Sequence, residues 1–283
     1  MSDRLSQRLA CVLTALMLLP PAAAGPAVGQ NLVSFGGGDE PVEITADEGI
    51  EWRRKEKVYI ASGKARAARG EIELFGDILS AFYRDGADGS TEIYRVEAHG
   101  NVRILSPNER VYGDDGYYDV ERGVVTLTGK ALRLETGGDS ITANESLEYW
   151  EAKQLAVARG GAVASRGDKS LSADLLVGHF RKDDEGQLVL SQVDAEGQVE
   201  ISTPTDFVTS KSGVYHVDKE LAELIGNVKI TRGEAQLNGE YAEVNLATGV
   251  SRLLAAPPGG EPDSRVRGLI VPTPEPPPGD EES

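Results

Sequence analysis

Acidic side chains recur in this chain at places where they could line up chemistry. Asp47, Asp77, Asp114, Asn144 and Asp174 each close the same short pattern, apolar–x–small–(Asp/Asn). Stacked, they would make a row of carboxylates, raw material for acid–base work or for holding a cation. Two stretches, Arg84–Asp85–Gly86–Ala87–Asp88–Gly89–Ser90 and Arg181–Lys182–Asp183–Asp184–Glu185–Gly186, invite a calcium reading. Neither has the ligand spacing of an EF-hand or a nonapeptide calcium repeat. His99, His179 and His216 are far apart, and the single cysteine, Cys11, lies in the leader, so no zinc set assembles. There is no Gly-x-Ser-x-Gly elbow and no phosphate loop. With 46 Asp and Glu residues, chance carboxylate pairs are plentiful, so a glycosidase pair has no support of its own. Arg166–Gly167–Asp168, an adhesion-like tripeptide, falls where a turn is expected. The stronger account of the corner acids is structural: Asp and Asn accept hydrogen bonds from the backbone just ahead and stabilise corners. The expectation is a protein without catalysis, cofactor or metal.

The elements that carry these corners repeat. The pattern begins at Ile44, Leu74, Val111, Ile141, Leu171, Phe207 and Leu237, at intervals of 30, 37, 30, 30, 36 and 30 residues. A constant period with two near-equal insertions marks a stacked repeat, in which each unit buries its apolar face only against its neighbours. A glycine precedes each next corner by about eleven residues: Gly63, Gly100, Gly129, Gly160 or Gly161, Gly197 and Gly226. Around it apolar residues alternate. Val96, Ala98, Gly100, Val102 and Ile104 face one way, and Arg95, Glu97, His99, Asn101 and Arg103 the other. The same alternation runs through Val193–Ile201 and Ala222–Ile230. Period two is the strand period, and a glycine inside such a run predicts a bulge or bend. Two registers fit equally well at Gly160–Gly161. The two Asp-rich insertions read as lengthened hairpins on one face.

Residues 1–24 read as a cleavable export signal, with Arg4 and Arg8, the apolar run Leu9–Leu19, and Ala22–Ala23–Ala24 before the cut. Eleven apolar residues followed by Pro20–Pro21 are too few for a spanning anchor. Removing the leader takes the formal charge from −17 to −18 and removes the only cysteine. An exported chain without disulfides points to a bacterial periplasm. The negative balance argues against nucleic acid and against adsorption to anionic membranes. A Gly-rich lead-in occupies 25–40, the repeat domain 41–272, and a Pro-rich acidic tail, expected to be disordered, 273–283. Aromatic residues are only 6%, which suits a thin two-sheet structure rather than a thick core. The remaining candidate is the apolar stripe. In a closed stack it would be a filled core, in an open one the lining of a groove suited to flexible acyl chains, and the stripe alone leaves both open.

Pro41–Val42–Glu43–Ile44–Thr45–Ala46–Asp47, the strand–Gly–strand run Val124–Leu134, Ile141–Thr142–Ala143–Asn144 and the stretch Arg265–Pro272 together resemble the OstA-type family of lipopolysaccharide export. The resemblance covers roughly 41–272 and rests on the order and spacing of loose motifs. It implies an all-β, open twisted β-jellyroll, here built from about seven repeats of ~30 residues, with two antiparallel sheets meeting in a V around an apolar groove. It also implies lipopolysaccharide as cargo, inner- and outer-membrane components of the export machinery as partners, and head-to-tail self-assembly through edge strands. By the matching motifs, Val42 and Ile44 sit at the receiving end, Leu147 and Tyr149 in the middle, and Leu269, Ile270 and Val271 at the donating edge. Acyl chains would lie on Val96, Ala98, Val102, Ile104, Val125, Leu127, Val199, Ile201, Val228 and Ile230. The number of repeats and the acidic tail depart from the family pattern. Two other readings are a membrane-anchored, LptC-like component of the same machinery, disfavoured by the short leader, and a periplasmic β-solenoid acting on polysaccharide. For the latter, Trp52 and Trp150 are too few to build a sugar platform.

Overall fold

The computed structural model describes residues 41–86, 90–245, 247–248, 250–262 and 265–270. The leader, the lead-in, the tail and Val271 lie outside these residues.

Among the described residues the alternating stretches form eighteen strands in one continuous antiparallel sheet. β1 (Glu43–Thr45) and β2 (Gly49–Arg53) lie end to end along β3 (Val58–Arg69). β4 (Ile72–Asp85), β5 (Thr91–Leu105) and β6 (Glu109–Asp119) follow as a meander. β6 is covered by two shorter strands, β7 (Val124–Thr128) and β8 (Leu132–Thr136). These pair with β10 (Ser146–Trp150) and β9 (Asp139–Ala143), which lie on the two ends of β11 (Leu155–Arg166). The meander resumes through β12 (Lys169–Lys182), β13 (Leu188–Ser202), β14 (Phe207–His216), β15 (Leu221–Arg232) and β16 (Ala235–Asn245). β17 (Val250–Leu254) and β18 (Arg267–Leu269) close it, both on β16. Among the described residues the only helical pieces are the short 3₁₀ turns Glu151–Lys153 and Val217–Lys219.

The glycines explain how a flat ladder becomes a fold with an inside. In β5, Arg103 pairs with Phe75 and His99 with Ile78, so β5 has one residue more than β4 between these rungs. The extra residue is accommodated at Gly100–Asn101, both left-handed, with φ of 72° and 51°. The same two-residue bulge recurs at Gly63–Lys64, Gly160–Gly161, Gly197–Gln198 and Gly226–Asn227. At Gly160–Gly161 both glycines are used, which is why the sequence fitted two frames. Each bulge bends its strand. The bulges line up across the sheet, and residues from both sides of that line enclose the same cavities, so the sheet folds over on itself as an open jellyroll.

Asp77, Asn144 and Asp174 serve these bulges, and Asp114 serves the break between β7 and β8. Asp77 accepts from Asn101 Nδ2 at 2.8 Å, Asp114 from the Lys130 amide at 3.1 Å, and Asp174 from Gln198 Nε2 at 3.2 Å. Asn144 donates to the Gly160 carbonyl at 3.0 Å. Their job is structural, as the sequence implied, but these partners lie across the ladder rather than just ahead in the chain. A corner residue has its neighbour's bulge directly opposite, so the cross-strand donor is nearer than the local one.

A larger period underlies the short one. Ile44 and Ile141, Gly63 and Gly160, Leu74 and Leu171, Asp77 and Asp174, Gly100 and Gly197, Val102 and Val199, and Gly129 and Gly226 all lie 97 residues apart. Strand pairing follows the same step: Ile44 opposes Ala67, and Ile141 opposes Ala164. One repeat start moves as a result. Phe207 is exposed at 44%, whereas Val208, 97 residues after Val111, is buried. Phe207 lies on the outward parity of β14, so Val208 begins the sixth repeat.

Two tyrosines tie this packing to pH. Burial, aided by Glu151, pushes the Tyr118 phenol up to about 12. Burial, with Glu223 and Glu243, does the same for Tyr241, also to about 12. A raised pKa means that the fold favours the neutral phenol. This stabilisation is complete below the unfolded value near 10 and is lost as pH rises through 12. The expected result is alkaline unfolding across that window, with each tyrosine contributing on the order of 2 kcal/mol. Thermal melts at stepped pH would test it. Flat stability to pH 12 would contradict the assignment.

Candidate binding groove

Alternation places one face of every strand inside. Three cavities open along that inside. The first, about 210 Å³, is lined by Val42, Ile44, Ile50, Tyr59, Ala67 and Leu79, among others. It shares Leu74 and Val96 with a narrow second space of about 40 Å³ that also touches Ala98, Val102 and Tyr118. That space shares Ile104, Val125 and Leu127 with the third, about 250 Å³, which continues past Leu147 and Tyr149 to Leu171, Phe180, Leu190 and Val193. Shared lining residues place the three next to one another along one apolar interior from β1 to β13.

The walls are mostly aliphatic with a few aromatic rings, and polar groups also line the third cavity: Thr136, Asp139, Ser140, Ser165 and Arg166. Arg166, Nε and Nη2, donates to both carboxylate oxygens of Asp139. That contact, with the side chain of Asp206 held by Arg232 at 2.6 Å through both Nε and Nη2, closes strand ends with paired rather than lone charge. Glu148 also touches this cavity. Burial would raise its pKa, but bonds from Trp150, Arg159 and Ser146 outweigh this and hold it below the usual carboxylate range. His99 meets Asp115 and Glu97, and His179 meets Asp194, in surface or half-buried contacts outside the three cavities. What this inside can do is shelter flexible apolar chains, at roughly 0.8 kcal/mol for each methylene removed from water.

The residues singled out from the sequence divide into two groups. Val42, Ile44 and Val96 line the first cavity; Val96, Ala98, Val102, Ile104, Val125 and Leu127 the second; and Ile104, Val125, Leu127, Leu147 and Tyr149 the third. Val199, Ile201, Val228 and Ile230 line none of these three and are packed into the interior at 1–2% exposure. At the chain's far edge, Leu269 closes β18 and Ile270 follows it; both are exposed.

Sequence reasoning missed an aromatic cluster beside the first cavity, to whose lining it contributes Tyr59. Trp52 stacks on Tyr59 at 5.5 Å, Tyr59 tilts against Tyr83 at 5.0 Å, and Trp52 Nε1 donates to the Tyr83 hydroxyl at 2.8 Å. The Arg54 guanidinium sits over the Trp52 ring. The signal was the alternation Ile50–Glu51–Trp52, facing Tyr59 and Ala61. It also missed Leu171, Phe180 and Val193, which stand 97 residues after Leu74, Tyr83 and Val96.

A comparison with curated proteins returns no match. Among solved structures, LptH of Pseudomonas aeruginosa, titled as the LptA-homologous periplasmic component of the lipopolysaccharide transport device, matches 82% of this chain and 96% of its own. Identity is 12% and the TM-score 0.21. The family model described as LptA/(LptD N-terminal domain) LPS transport protein matches twice, over residues 43–147 and 140–250. The two matches begin 97 residues apart, the step already seen in the strands. The chain therefore belongs to the LptA/LptD N-terminal-domain family of lipopolysaccharide transport proteins, whose model it matches twice in succession.

Proposed function

We propose that this protein carries lipopolysaccharide through the periplasm without chemistry, its acyl chains lying in the path from Val42 to Val193. The observation that carries the proposal is the run of three apolar cavities sharing walls, in a chain of a lipopolysaccharide transport family. Mostly aliphatic walls fit chains that flex, while the polar headgroup stays in water. The inner- and outer-membrane components of the export machinery are the donor and acceptor of the cargo. Copies join head to tail, β17 and β18 of one beside β2 and β1 of the next. Both edges carry unpaired backbone and exposed apolar side chains, Ile50 and Trp52 at one, Leu269 and Ile270 at the other.

Photocrosslinking in intact cells tests the cargo. A photoreactive residue replaces Ile104, which lines two cavities, and a control replaces Arg103, which is exposed on the outer face against Phe75. Lipopolysaccharide adducts are expected at position 104 and not at 103. A folded, exported protein with no adduct at 104 would remove the proposal and favour a filled scaffold.

A further inference from the structure

The narrow space at the centre of the interior has a counterpart that is shut. Ala98, Val102, Ile104, Gly116 and Leu127 all line the narrow space. Ala195, Val199, Ile201, Gly213 and Leu224 repeat those residue types 97 positions on. The registers agree as well. Ala98 opposes Gly116 and Gly116 opposes Leu127, just as Ala195 opposes Gly213 and Gly213 opposes Leu224. Yet none of the second five borders any of the three cavities.

The two leucines lean in different directions. A Cβ added at Gly213 would stand 2.9 Å from Cδ2 of Leu224, so that side chain lies over the bare backbone and fills the place. A Cβ added at Gly116 would meet Val102 Cγ1 at 3.3 Å and Ala98 Cβ at 3.6 Å, and no atom of Leu127 within 4 Å. Leu127 turns instead to Gly113, where an added Cβ would meet Cβ and Cδ2 of Leu127, both at 3.3 Å, and Cδ2 of Leu132 at 3.1 Å. Gly113 opposes Val102, and the residue that opposes Val199 is Ser210. Ser210 is buried, and its hydroxyl donates to the Ser212 carbonyl at 3.0 Å. Leu127 therefore stands between two bare positions and covers one of them, whereas Leu224 has only one to cover. A glycine inside a strand weakens it and marks a spot where another group comes close to the backbone. At Gly113 and Gly213 that group is a leucine. At Gly116 the face beyond Val102 and Ala98 stays open, within a cavity.

We propose that Gly113 and Ser210 decide which part of the interior takes an acyl chain. Gly113 draws Leu127 aside, and an unbranched run of methylenes lies over Gly116, between the first and third cavities. Ser210 turns Leu224 onto Gly213, so no chain enters between β13 and β15. The narrow bore favours straight chains over branched or ringed ones. The ligand rests on the lipid reading above; the positions of the two leucines do not.

Nuclear Overhauser spectra of the full chain, with Leu, Val and Ile methyl groups labelled, test both parts. In the free protein, the Leu127 methyls are expected beside the α-protons of Gly113, and the Leu224 methyls beside those of Gly213. The reverse arrangement in the native chain overturns the proposal without any variant. Gly113→Ser and Gly113→Ala should move Leu127 onto Gly116, the second without bringing in a hydroxyl, and Ser210→Gly should release Leu224 from Gly213. Thermal melts show which variants remain folded. An unmoved leucine in a folded variant overturns the proposal. Purified lipopolysaccharide is then added. Contacts with acyl methylenes are expected at Val102, and at Ile141 in the third cavity, but not at Val199. Gly113→Ala should lose the contact at Val102 and keep that at Ile141, and Ser210→Gly should gain one at Val199. A contact at Val199 in the native chain, or an unchanged one at Val102 in Gly113→Ala, overturns the proposal. No acyl contact at Ile141 in the native chain would instead remove the lipid reading, and the acyl part of this proposal with it, while the leucine positions are decided by the free protein.

Discussion

Val199→Asp is expected to abolish the native fold, while Ile104→Asp leaves it standing and blocks lipid. Val199 is 1% exposed and lines none of the three cavities, so a carboxylate there has neither water nor a partner. The cost of burying it is about 4 kcal/mol or more, a large share of the 5–15 kcal/mol that typically separates folded from unfolded states. Ile104 is also buried, at 7%, but its side chain borders open space on two sides. A carboxylate there can draw water into the path, and a destabilisation of only about 1–2 kcal/mol is expected. Circular dichroism and thermal melts of both variants, with the crosslinking assay for lipid, decide it. If Ile104→Asp unfolds as fully as Val199→Asp, the interior around Ile104 is packed and the groove is not open.

Gly197→Val is expected to cost about 2–4 kcal/mol, and Gly167→Ala only about 1 kcal/mol. Gly197 has φ of 74° and forms the first half of a bulge. An added Cβ would stand 2.9 Å from Cβ and Cγ of Asp174, the corner residue that accepts from Gln198. Backbone strain and a side-chain clash therefore act together, and relieving either one opens the corner. Gly167 has φ of 58° but no atom near its would-be Cβ, so only the backbone term remains. Urea midpoints of the two variants would separate the terms. Equal losses would mean that the corner is soft and that the acids do not hold it.

The sequence made strands, bulges and period legible because each leaves a local trace. Alternation through Val96–Ile104 states which face is buried, and the glycine in its middle states where the ladder slips. The intervals 30, 37, 30 followed by 30, 36, 30 already contained the duplication, but an eye fixed on the short period passes over the long one. Phe207 was chosen as a repeat start because it is apolar, yet parity, not hydrophobicity, decides which neighbour faces in. Core and groove were not separable at all. Val102 and Val199 are the same residue at the same place in the repeat, both 1% exposed, and of the two only Val102 borders one of the three cavities. That distinction depends on which way side chains lean across strands, which no run of residues records. The cluster of Trp52, Tyr59 and Tyr83 escaped for the same reason: the three come together across strands.

The meander keeps every pairing close along the chain. The widest registered pair, Gln236 with Leu269, spans 33 residues, and most strands pair with the one just made. All-β proteins usually fold slowly because distant segments must first find each other. Here loop-closure entropy stays small at each step. A chain delivered end first through a pore can therefore zip strand by strand onto what has already emerged, with no segment waiting for one delivered much later. Folding would travel as a front from β3 onward, and a lesion near β16 would leave the earlier strands native.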